Sequence, residues 1–447
     1  MSSMITTRTI VFLLIGLVIG AAGASAFYYY TAPVPEKKLK IAVVSDVGGR
    51  GDLSFNDMGF KGGEEACRDF NLEMVEIISK VEADYVPNLE IGAKDPDVIL
   101  VVGVGYMLSN ALAEVAMKYP DKNFAGIDTF AQFVVLGQNA SLYPLPNLLD
   151  IVYEEHKGSA MVGALGALLA AYYGYPHIGV ALGMEIPPLW KFEVGYKWGC
   201  DWAINWTMEH HPELTTGIVS TARKERVLWT YTGTFSDITK GYEAAKAMYA
   251  GGAVAVYNVA GPLGFGINQA VEEIAAEENL TMGPPFWIGV DSDQDWIGPG
   301  FVVASCMKRV DYGVYYATML SKSFAAVFYK TGIPTFRETV AATSGSITLG
   351  IGTMVGGVLM EGISLSTLAD LPEFIAMGQT AEEITGTTYL PATPAEIVSK
   401  VTAMRAAIPS WIWDAVKELS DGISSGSIVV PKASTTADMN YWRGILG

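Results

Sequence analysis

The fold of this chain is constrained most by a repeated alternation of short apolar segments with longer amphipathic ones. Buried strands are predicted over 39–45, 97–102, 123–127, 177–182, 217–221, 254–259, 286–290 and 301–305. Helices are predicted from about Asn56 and over 107–118, 158–172, 189–208, 238–250 and 267–278. Strands joined in this way form mostly parallel sheets with helices on both faces, through right-handed crossovers. The pattern therefore predicts an α/β protein.

The predicted helix over 158–172 consists mainly of Gly, Ala and Leu. Because small residues let another backbone approach closely, we expect this helix to be tightly packed. Beyond about Thr331 the pattern is less regular, with one late helix near 410–419. No feature of the sequence assigns a role to residues 366–410.

Length and charge indicate a large folded protein that does not bind nucleic acid. The 447 residues are too many for one compact core, so two lobes of ordinary size are expected. Half of the residues are hydrophobic, which favours an extensive core over disorder. The net charge of -18 excludes a nucleic-acid partner, because phosphate binding needs clustered Lys and Arg.

The N-terminal segment 10–30 contains no charged residue and is long enough to cross a bilayer as a helix. It resembles a secretory signal, since Arg8 precedes it and Ala24-Ser25-Ala26 forms a small-residue cleavage site. It also resembles an uncleaved anchor with an interfacial belt at 27–30, which we favour because the apolar run is long. We expect the rest of the chain outside the cytoplasm, anchored to the cell membrane, or secreted if the segment is cleaved.

Sequence motifs of enzymes and of metal sites are missing. The sequence has no HExxH motif, no G-x-S-x-G elbow and no phosphate-binding loop of the G-x-x-x-x-G-K-[ST] type. The pair His210–His211 precedes a proline at a predicted helix end, where a solvated terminus is the ordinary interpretation. The cysteines Cys67, Cys200 and Cys306 lack metal-ligand spacing and are expected to be buried free thiols. We expect no catalytic residue, no metal and no cofactor.

Polar residues and glycines follow several predicted strands. Asp46, Asp128 and Asp291 come directly after strands, and Gly261 comes two residues after one. Parallel α/β sheets bind ligands at the carboxyl ends of their strands. These residues therefore predict a central ligand cleft.

Phe55 and Asn56, close to Asp46, suit a flat heterocycle, because the ring can stack while polar groups meet its edge. The alternative is that Phe55 is a core residue and Asn56 caps a helix. Phe192, at a predicted helix start, has core packing as its ordinary explanation.

Asp291 and Lys308 combine a carboxylate with an ammonium group, which suits a sugar diol. Metal ligation or a solvated loop are the other interpretations of Asp291. Gly261 and Gly264 lie in a glycine-rich turn after a strand, which indicates either a tight turn or close approach of the backbone to a ligand.

Seven segments together resemble the basic membrane protein family of solute-binding proteins, also called purine nucleoside receptor-like lipoproteins. They occur in order, which makes the set specific although each one alone is weak. The segments are SDVGGRGDLSFND (45–57), EEHKGSAMVGALGALLA (154–170), PPLWKFEVGYKWG (187–199), YTGTFSDITKGYEAAKAM (231–248), VYNVAGPLGFG (256–266), IGVDSDQ (288–294) and SCMKRV (305–310).

The resemblance implies a two-lobed type I periplasmic-binding-protein fold, with a ligand in the cleft between the lobes. The expected division is 39–155 with 292–330 in one lobe and 156–291 with 331–435 in the other, after a leader and linker over 1–38. It also implies a nucleoside ligand, with a purine base, and an ABC transporter permease as partner.

The resemblance implies a role for each matching residue. Phe55 and Phe192 match base-stacking aromatic residues, Asp46, Asn56 and Asp128 match base-edge or neighbouring contacts, and Asp291 and Lys308 match the ribose-binding pair. The family's loop glycine falls on Leu263 in one alignment, so Gly261 or Gly264 takes that part. The lipid-anchoring cysteine of the family is absent near the N-terminus.

Two other functions remain open at this stage. A sugar or autoinducer receptor on the same fold would also use stacking aromatic residues. A nucleoside-processing enzyme such as a phosphorylase would need a phosphate site with several basic groups, whereas the segments after the strands are mostly acidic or neutral.

Overall fold

The computed structural model describes residues 38–322, 334–355 and 358–447. The predicted signal or anchor over 10–30 lies outside these residues. Within the described ranges, no helix has the length and apolar character needed to span a bilayer.

The first sheet has six strands among the described residues, and each pair of adjacent strands is parallel. In order across the sheet they are β11 (Ser346–Leu349), β5 (Leu148–Tyr153), β4 (Asn123–Ile127), β3 (Val98–Val104), β1 (Lys40–Ser45) and β2 (Glu73–Ile78).

The second sheet repeats this design, with six strands in the part of the chain that is described. In order they are β14 (Ile363–Leu365), β10 (Val302–Lys308), β9 (Phe286–Asp291), β8 (Ala253–Val259), β6 (His177–Leu182) and β7 (Val227–Tyr231). Of these six described strands, only β14 is antiparallel to its neighbour. A separate hairpin joins β12 (Thr353–Val355) and β13 (Val358–Met360).

Helices connect the strands and cover the sheets, as the alternation predicts. They are α1 (Phe55–Phe70), α2 (Tyr85–Lys94), α3 (Ser109–Lys118), α4 (Ala131–Gln138), α5 (Glu155–Tyr173), α6 (Pro187–His210), α7 (Ile238–Ala250), α8 (Leu263–Glu278), α9 (Val310–Lys322), α10 (Phe336–Thr343), α11 (Leu371–Thr385), α12 (Pro394–Ala407), α13 (Ser410–Ser425) and α14 (Thr436–Leu446). The predicted α/β architecture with two mostly parallel sheets is confirmed.

The predicted strand over 217–221 is wrong. That segment begins with a 3-10 turn, Gly217–Val219, in which Gly217 has a φ of 60°. The strand lies instead at β7, whose β-branched and aromatic residues pair with β6. The positive φ of Gly217 is incompatible with a strand, which explains the difference.

Each sheet with its covering helices forms one lobe. The chain passes between the two lobes more often than the residue ranges expected from the resemblance imply. Strand β10, within 292–330, lies in the second sheet beside β9. Helix α9 then packs against α1 of the first lobe, and β11 pairs with β5 of the first sheet. Strand β14 returns to the second sheet. The strand pairing therefore places β10 with lobe two and β11 with lobe one.

Helices α5 and α6 pack backbone to backbone through their glycines. A Cβ atom on Gly163 would lie 2.2 Å from the Tyr196 carbonyl oxygen, and one on Gly199 would lie 2.0 Å from that of Ala160. Such distances leave no room for a side chain. This contact holds the first residues of α5 and α6 together next to the cleft, to which α6 contributes Phe192.

Candidate functional site

A cavity lies between the carboxyl ends of the strands of the two sheets. It has an empty volume of ≈ 720 Å³, part of which is open to solvent. Residues at or just beyond the carboxyl ends of β1, β3 and β4 of lobe one, and of β8, β9 and β10 of lobe two, contribute to its walls.

The structure brings eight of the nine predicted site residues to this cavity. They are Asp46, Phe55, Asn56, Asp128, Phe192, Gly261, Asp291 and Lys308. The ninth, Gly264, does not line it. Gly264 lies in the first turn of α8, where a Cβ atom would meet the Asn258 side chain at 2.7 Å. Gly264 therefore serves close packing, and Gly261 is the glycine that faces the cleft.

Asp128 and Asp291 occupy equivalent positions in the two lobes. Asp128 follows β4 and Asp291 ends β9, and both have a left-handed backbone, with φ of 60° and 64°. Non-glycine residues seldom adopt this conformation, and such strain is found preferentially at functional sites. Both carboxyl groups are buried in the cavity wall.

The loop that precedes α1 holds Asn56 in a fixed orientation. Its side-chain amide donates to Asp46 Oδ1 at 3.0 Å and to Asp52 Oδ2 at 3.1 Å. Asp52 also accepts hydrogen bonds from the backbone N–H groups of Ser54, Asn56 and Asp57, so Asp52 caps the helix and Asn56 does not. Among the described residues the buried Asn56 Oδ1 has no hydrogen-bond partner, which leaves it available to a ligand donor.

A buried charge network connects the lobes behind the cavity. Lys308 Nζ donates to Asp128 Oδ2 at 2.7 Å and to Glu155 Oε1 at 3.0 Å. Lys191 Nζ donates to Glu155 Oε2 at 2.9 Å and to the Tyr153 carbonyl oxygen at 3.1 Å. Within the described part of the chain, Asp128 Oδ1 has no hydrogen-bond partner.

Burial and the neighbouring charges shift the pKa values of these groups. Burial raises the pKa of Asp291 to about 6, although the Lys308 ammonium and the Ser54 hydroxyl act in the opposite direction. Burial also raises the pKa of Asp128, against the effect of Lys308. Burial alone would lower the pKa of Lys308, but the carboxylates of Asp128, Glu155 and Asp291 raise it above its ordinary value. Lys308 therefore carries its positive charge in the cleft.

Two of the aromatic rings near Lys308 belong to the cavity wall. Its Nζ lies 5.3 Å from the centroid of the Phe55 ring and 5.8 Å from that of Phe192. Phe192 is 3% exposed and also packs against Tyr257 in the core of lobe two. Phe192 is thus both a core residue of lobe two and part of the cavity wall. Rings contributed by both lobes give the cavity flat apolar surfaces.

The two lobes touch directly beside the cavity. Ser54 Oγ of lobe one donates to the Val290 carbonyl oxygen at 3.0 Å and to Asp291 Oδ2 at 3.2 Å. Ser292 Oγ of lobe two donates to the Leu53 carbonyl oxygen at 2.6 Å. These contacts describe a closed arrangement, with the ends of both sheets facing each other.

Sequence reasoning missed part of the site. Tyr106, Met107 and Phe235 line the cavity, and Glu155 and Lys191 complete the charge network. Tyr106 follows β3, so the rule that placed the aspartates would also have found it. Glu155 comes two residues after β5, a strand that the sequence analysis does not predict. Lys191 carries no such signal, because only the packing of α5 on α6 brings it to Glu155.

Comparison with known proteins gives consistent matches. A family model described as "ABC transporter substrate-binding protein PnrA-like" matches residues 38–205 and 210–324. An uncharacterized lipoprotein of Pyrococcus abyssi is 32% identical, over 95% of this chain and 90% of its own length. The ABC transporter nucleoside-binding protein BmpA of Lactococcus lactis is 27% identical, over 61% of this chain and 72% of its own length.

A solved structure has a closely similar fold. It is an ABC transporter solute-binding protein from Aeropyrum pernix, with 28% identity and a TM-score of 0.69. The match covers 90% of this chain and 96% of the other. The two-lobed fold predicted from the sequence is therefore that of solute-binding proteins.

Proposed function

The chain belongs to the Bmp family of PnrA-like substrate-binding proteins of ABC transporters, and on that premise we propose that its cleft captures a nucleoside with a purine base. The observation that carries this proposal is the division of the cavity wall into two chemistries. Aromatic rings, with acceptor atoms that have no partner in the described part of the chain, suit a base, and a carboxylate with an ammonium group suits a ribose.

The base would lie between Phe55 and Phe192. Stacking on aromatic rings tolerates every base, because each base has a π face. Selectivity then comes from the edge of the base. Asn56 Oδ1 and Asp128 Oδ1, which have no hydrogen-bond partner among the described residues, can accept hydrogen bonds from N–H groups there. A buried acceptor left without a partner costs about 1–3 kcal/mol, so a base that supplies donors is favoured.

The ribose would meet Asp291 and Lys308. An ionised carboxylate accepts hydrogen bonds from two vicinal hydroxyl groups, and these charge-assisted bonds are strengthened in a closed cleft. Among the described residues, two of the three N–H donors of Lys308 reach Asp128 and Glu155, which leaves one for a ribose oxygen. In the proposed sugar site the charge network orients Lys308, and the Ser54 hydroxyl donates to Asp291.

The same premise supports a location outside the cytoplasm and a permease partner. The relatives from Pyrococcus abyssi, Pyrococcus horikoshii and Pyrococcus furiosus are named lipoproteins. We propose that the segment 10–30 holds this chain at the membrane, where the cleft delivers its ligand to an ABC permease. The family and the fold are those of solute-binding proteins, and the proposal includes no catalytic step.

Thermal-shift screening of the soluble fragment from about Lys37 onward tests the proposal. The panel contains adenosine, guanosine, inosine, adenine, ribose and galactose. We expect purine nucleosides to raise the melting temperature most, because only they fill both halves of the cavity. Stabilisation by free sugars with silent nucleosides would support a sugar receptor instead. Release of free base from inosine in the presence of phosphate would indicate an enzyme.

A further inference from the structure

Residues 366–407, here called the strap, contain α11 and α12 and lie outside the residues matched by the family model. The strap is fastened to lobe two at both ends. Its first residue, Ser366, donates to the Asp295 carboxylate at 3.3 Å and accepts from Arg405 Nη2 at 2.9 Å. Arg405 also forms an ion pair with the buried Asp295.

Between these ends the strap crosses to lobe one. The Glu373 carboxylate of α11 lies 2.7 Å from Lys61 Nζ on α1. The Lys61 ammonium also lies 5.9 Å from the centroid of the Phe374 ring. Helix α1 begins with Phe55, so the strap packs on the helix that carries a wall of the cleft.

Tyr389 of the strap touches the cleft-forming segments of both lobes without lining the cavity. A Cβ atom on Gly51 would lie 2.6 Å from the Tyr389 hydroxyl oxygen, so this hydroxyl packs directly on the loop between Asp46 and Phe55. The φ of Gly51 is 84°, which favours glycine there. On the other side the Tyr389 ring stacks on Phe265, with centroids 6.0 Å apart and an angle of 23° between the rings.

The backbone at Tyr389 is fixed as well. The N–H groups of Tyr389 and Leu390 both donate to Glu382 Oε1, at 2.6 and 2.8 Å. Phe265 is the third residue of α8 and follows the cavity residue Gly261 by four positions. Gly51 and Phe265 belong to different lobes, so movement of the lobes apart must break at least one contact of Tyr389.

We propose that Tyr389 is a positioning residue that holds the two walls of the cleft together and slows the release of bound ligand. A contact made only in the closed arrangement stabilises that arrangement relative to the open one. The effect therefore falls on the rate of dissociation rather than on the contacts with the ligand. The inference rests on the proposed function for its probe, a nucleoside.

The first test measures dissociation of adenosine by stopped flow from the wild type and from Tyr389→Ala. We expect the dissociation rate to rise about 5- to 30-fold, the effect of losing one or two kcal/mol from the closed form. Tyr389→Phe keeps the stack on Phe265 and loses only the hydroxyl on Gly51, so a smaller rise is expected. The control Tyr441→Ala, at a residue 61% exposed on α14, is expected to change nothing. A lower melting temperature with an unchanged dissociation rate would reduce Tyr389 to a structural role.

A double-mutant cycle tests whether the stack is the connection to lobe two. If Tyr389 acts through Phe265, adding Phe265→Ala to Tyr389→Ala increases the dissociation rate little further. Fully additive effects of the two substitutions on the dissociation rate would show that Tyr389 does not act through Phe265, and would overturn the proposed connection to lobe two.

A measurement without ligand separates this inference from the proposed function. Spin labels on cysteines introduced at the exposed Glu114 of α3 and Glu243 of α7 report the distance between the lobes. The native Cys67, Cys200 and Cys306 are buried, which favours labelling at the new sites. We expect Tyr389→Ala to broaden the distance distribution of the unliganded protein. A broadened distribution with no adenosine binding by the wild type would contradict the nucleoside proposal alone. An unchanged distribution would overturn the role of Tyr389.

Discussion

At the scale of single residues, the cleft contains several strained or buried polar groups of a kind that usually destabilises a folded protein. Asp128 and Asp291 combine a left-handed backbone with a buried carboxyl group whose pKa is raised. Asn56 keeps a buried acceptor without a partner among the described residues. Strain and unsatisfied polar groups of this kind are expected where a ligand completes the site.

Phe55 tests the proposed stacking. Stacking of a base on an aromatic ring is worth about 1–3 kcal/mol, so we expect Phe55→Ala to weaken adenosine binding about 5- to 150-fold. Phe133→Ala, at a ring 69% exposed on α4, serves as the control and is expected to leave binding unchanged. Calorimetry gives the affinities, and thermal unfolding gives the stability of each unliganded variant. If the unliganded Phe55→Ala variant is much less stable but binds adenosine with full affinity, Phe55 is a core residue and does not stack on the base.

Asp291 tests the proposed sugar contact. Loss of one hydroxyl leaves a buried acceptor partly unsatisfied at a cost of about 1–3 kcal/mol, so 2′-deoxyadenosine is expected to bind about 5- to 150-fold more weakly than adenosine. Asp291→Ala is expected to weaken adenosine binding and to erase most of that difference. Titration of both ligands into both proteins closes the cycle. If the mutant still discriminates fully, Asp291 does not contact the sugar.

The raised pKa of Asp291 predicts a pH dependence of binding. The carboxyl group accepts charge-assisted hydrogen bonds from both hydroxyls of a diol only when ionised, because protonation turns one of its oxygens into a donor. Its pKa of about 6 in the unliganded protein lies well above the ordinary value because the group is buried. As the pH falls below 6, protonation competes with ligand, and the affinity is expected to fall by up to about tenfold per pH unit.

Calorimetric titrations of adenosine between pH 5 and pH 8 measure this dependence. Asp291→Asn is the matched control, because it cannot titrate while Asp128, Glu155 and Lys308 remain in place. We expect a smaller dependence in that variant. Two curves of the same shape would assign the titration to another group.

Much of the residue-level site could be predicted from the sequence, because cleft residues in parallel sheets follow strands. That rule, with the family resemblance, placed eight of nine residues at the cavity. It failed for Gly264, whose small size serves its contact with Asn258. The rule also missed the ion pair of Glu155 and Lys191, because the local sequence around one residue does not identify a partner 36 positions away.

At the scale of elements, the close packing of α5 on α6 sets the geometry of one side of the cleft. Glu155 begins α5, and Lys191 and Phe192 lie near the start of α6. The Gly- and Ala-rich segment predicted this packing, although it did not identify the partner helix. Interleaved glycines, Gly163 and Gly199 among them, make the approach possible.

Gly199→Ala tests this packing. Its Cβ atom would lie 2.0 Å from the Ala160 carbonyl oxygen, so the helices must move apart. Overpacking typically costs about 1–3 kcal/mol of the free energy of unfolding. Gly137→Ala is the control, since among the described residues no atom outside the adjoining chain and the helix backbone lies within 4 Å of its Cβ position in α4. A gain of about 0.5–1 kcal/mol is expected there. Urea unfolding of both variants measures the changes, and equal effects would contradict the account.

At the scale of the whole molecule, the sequence predicted two lobes but not the path of the chain between them. Strand β11 pairs with β5 and β14 pairs with β10, each across a long stretch of chain. Local patterns predict a strand and its faces, whereas its partner depends on tertiary packing. The position of the strap also depends on tertiary packing, because its contacts with Gly51, Lys61 and Asp295 join distant parts of the sequence.

Calorimetric titration of the soluble fragment with adenosine, guanosine and inosine, and separately with ribose and adenine, tests the central claim most directly. We expect at least one purine nucleoside to bind with one site per chain and a Kd of about 1 μM or tighter, about -8 kcal/mol. Free ribose and free adenine each fill only half of the proposed site and are expected to bind far more weakly. Tight binding of ribose, with all three nucleosides silent, would contradict the assignment of the cleft to a nucleoside.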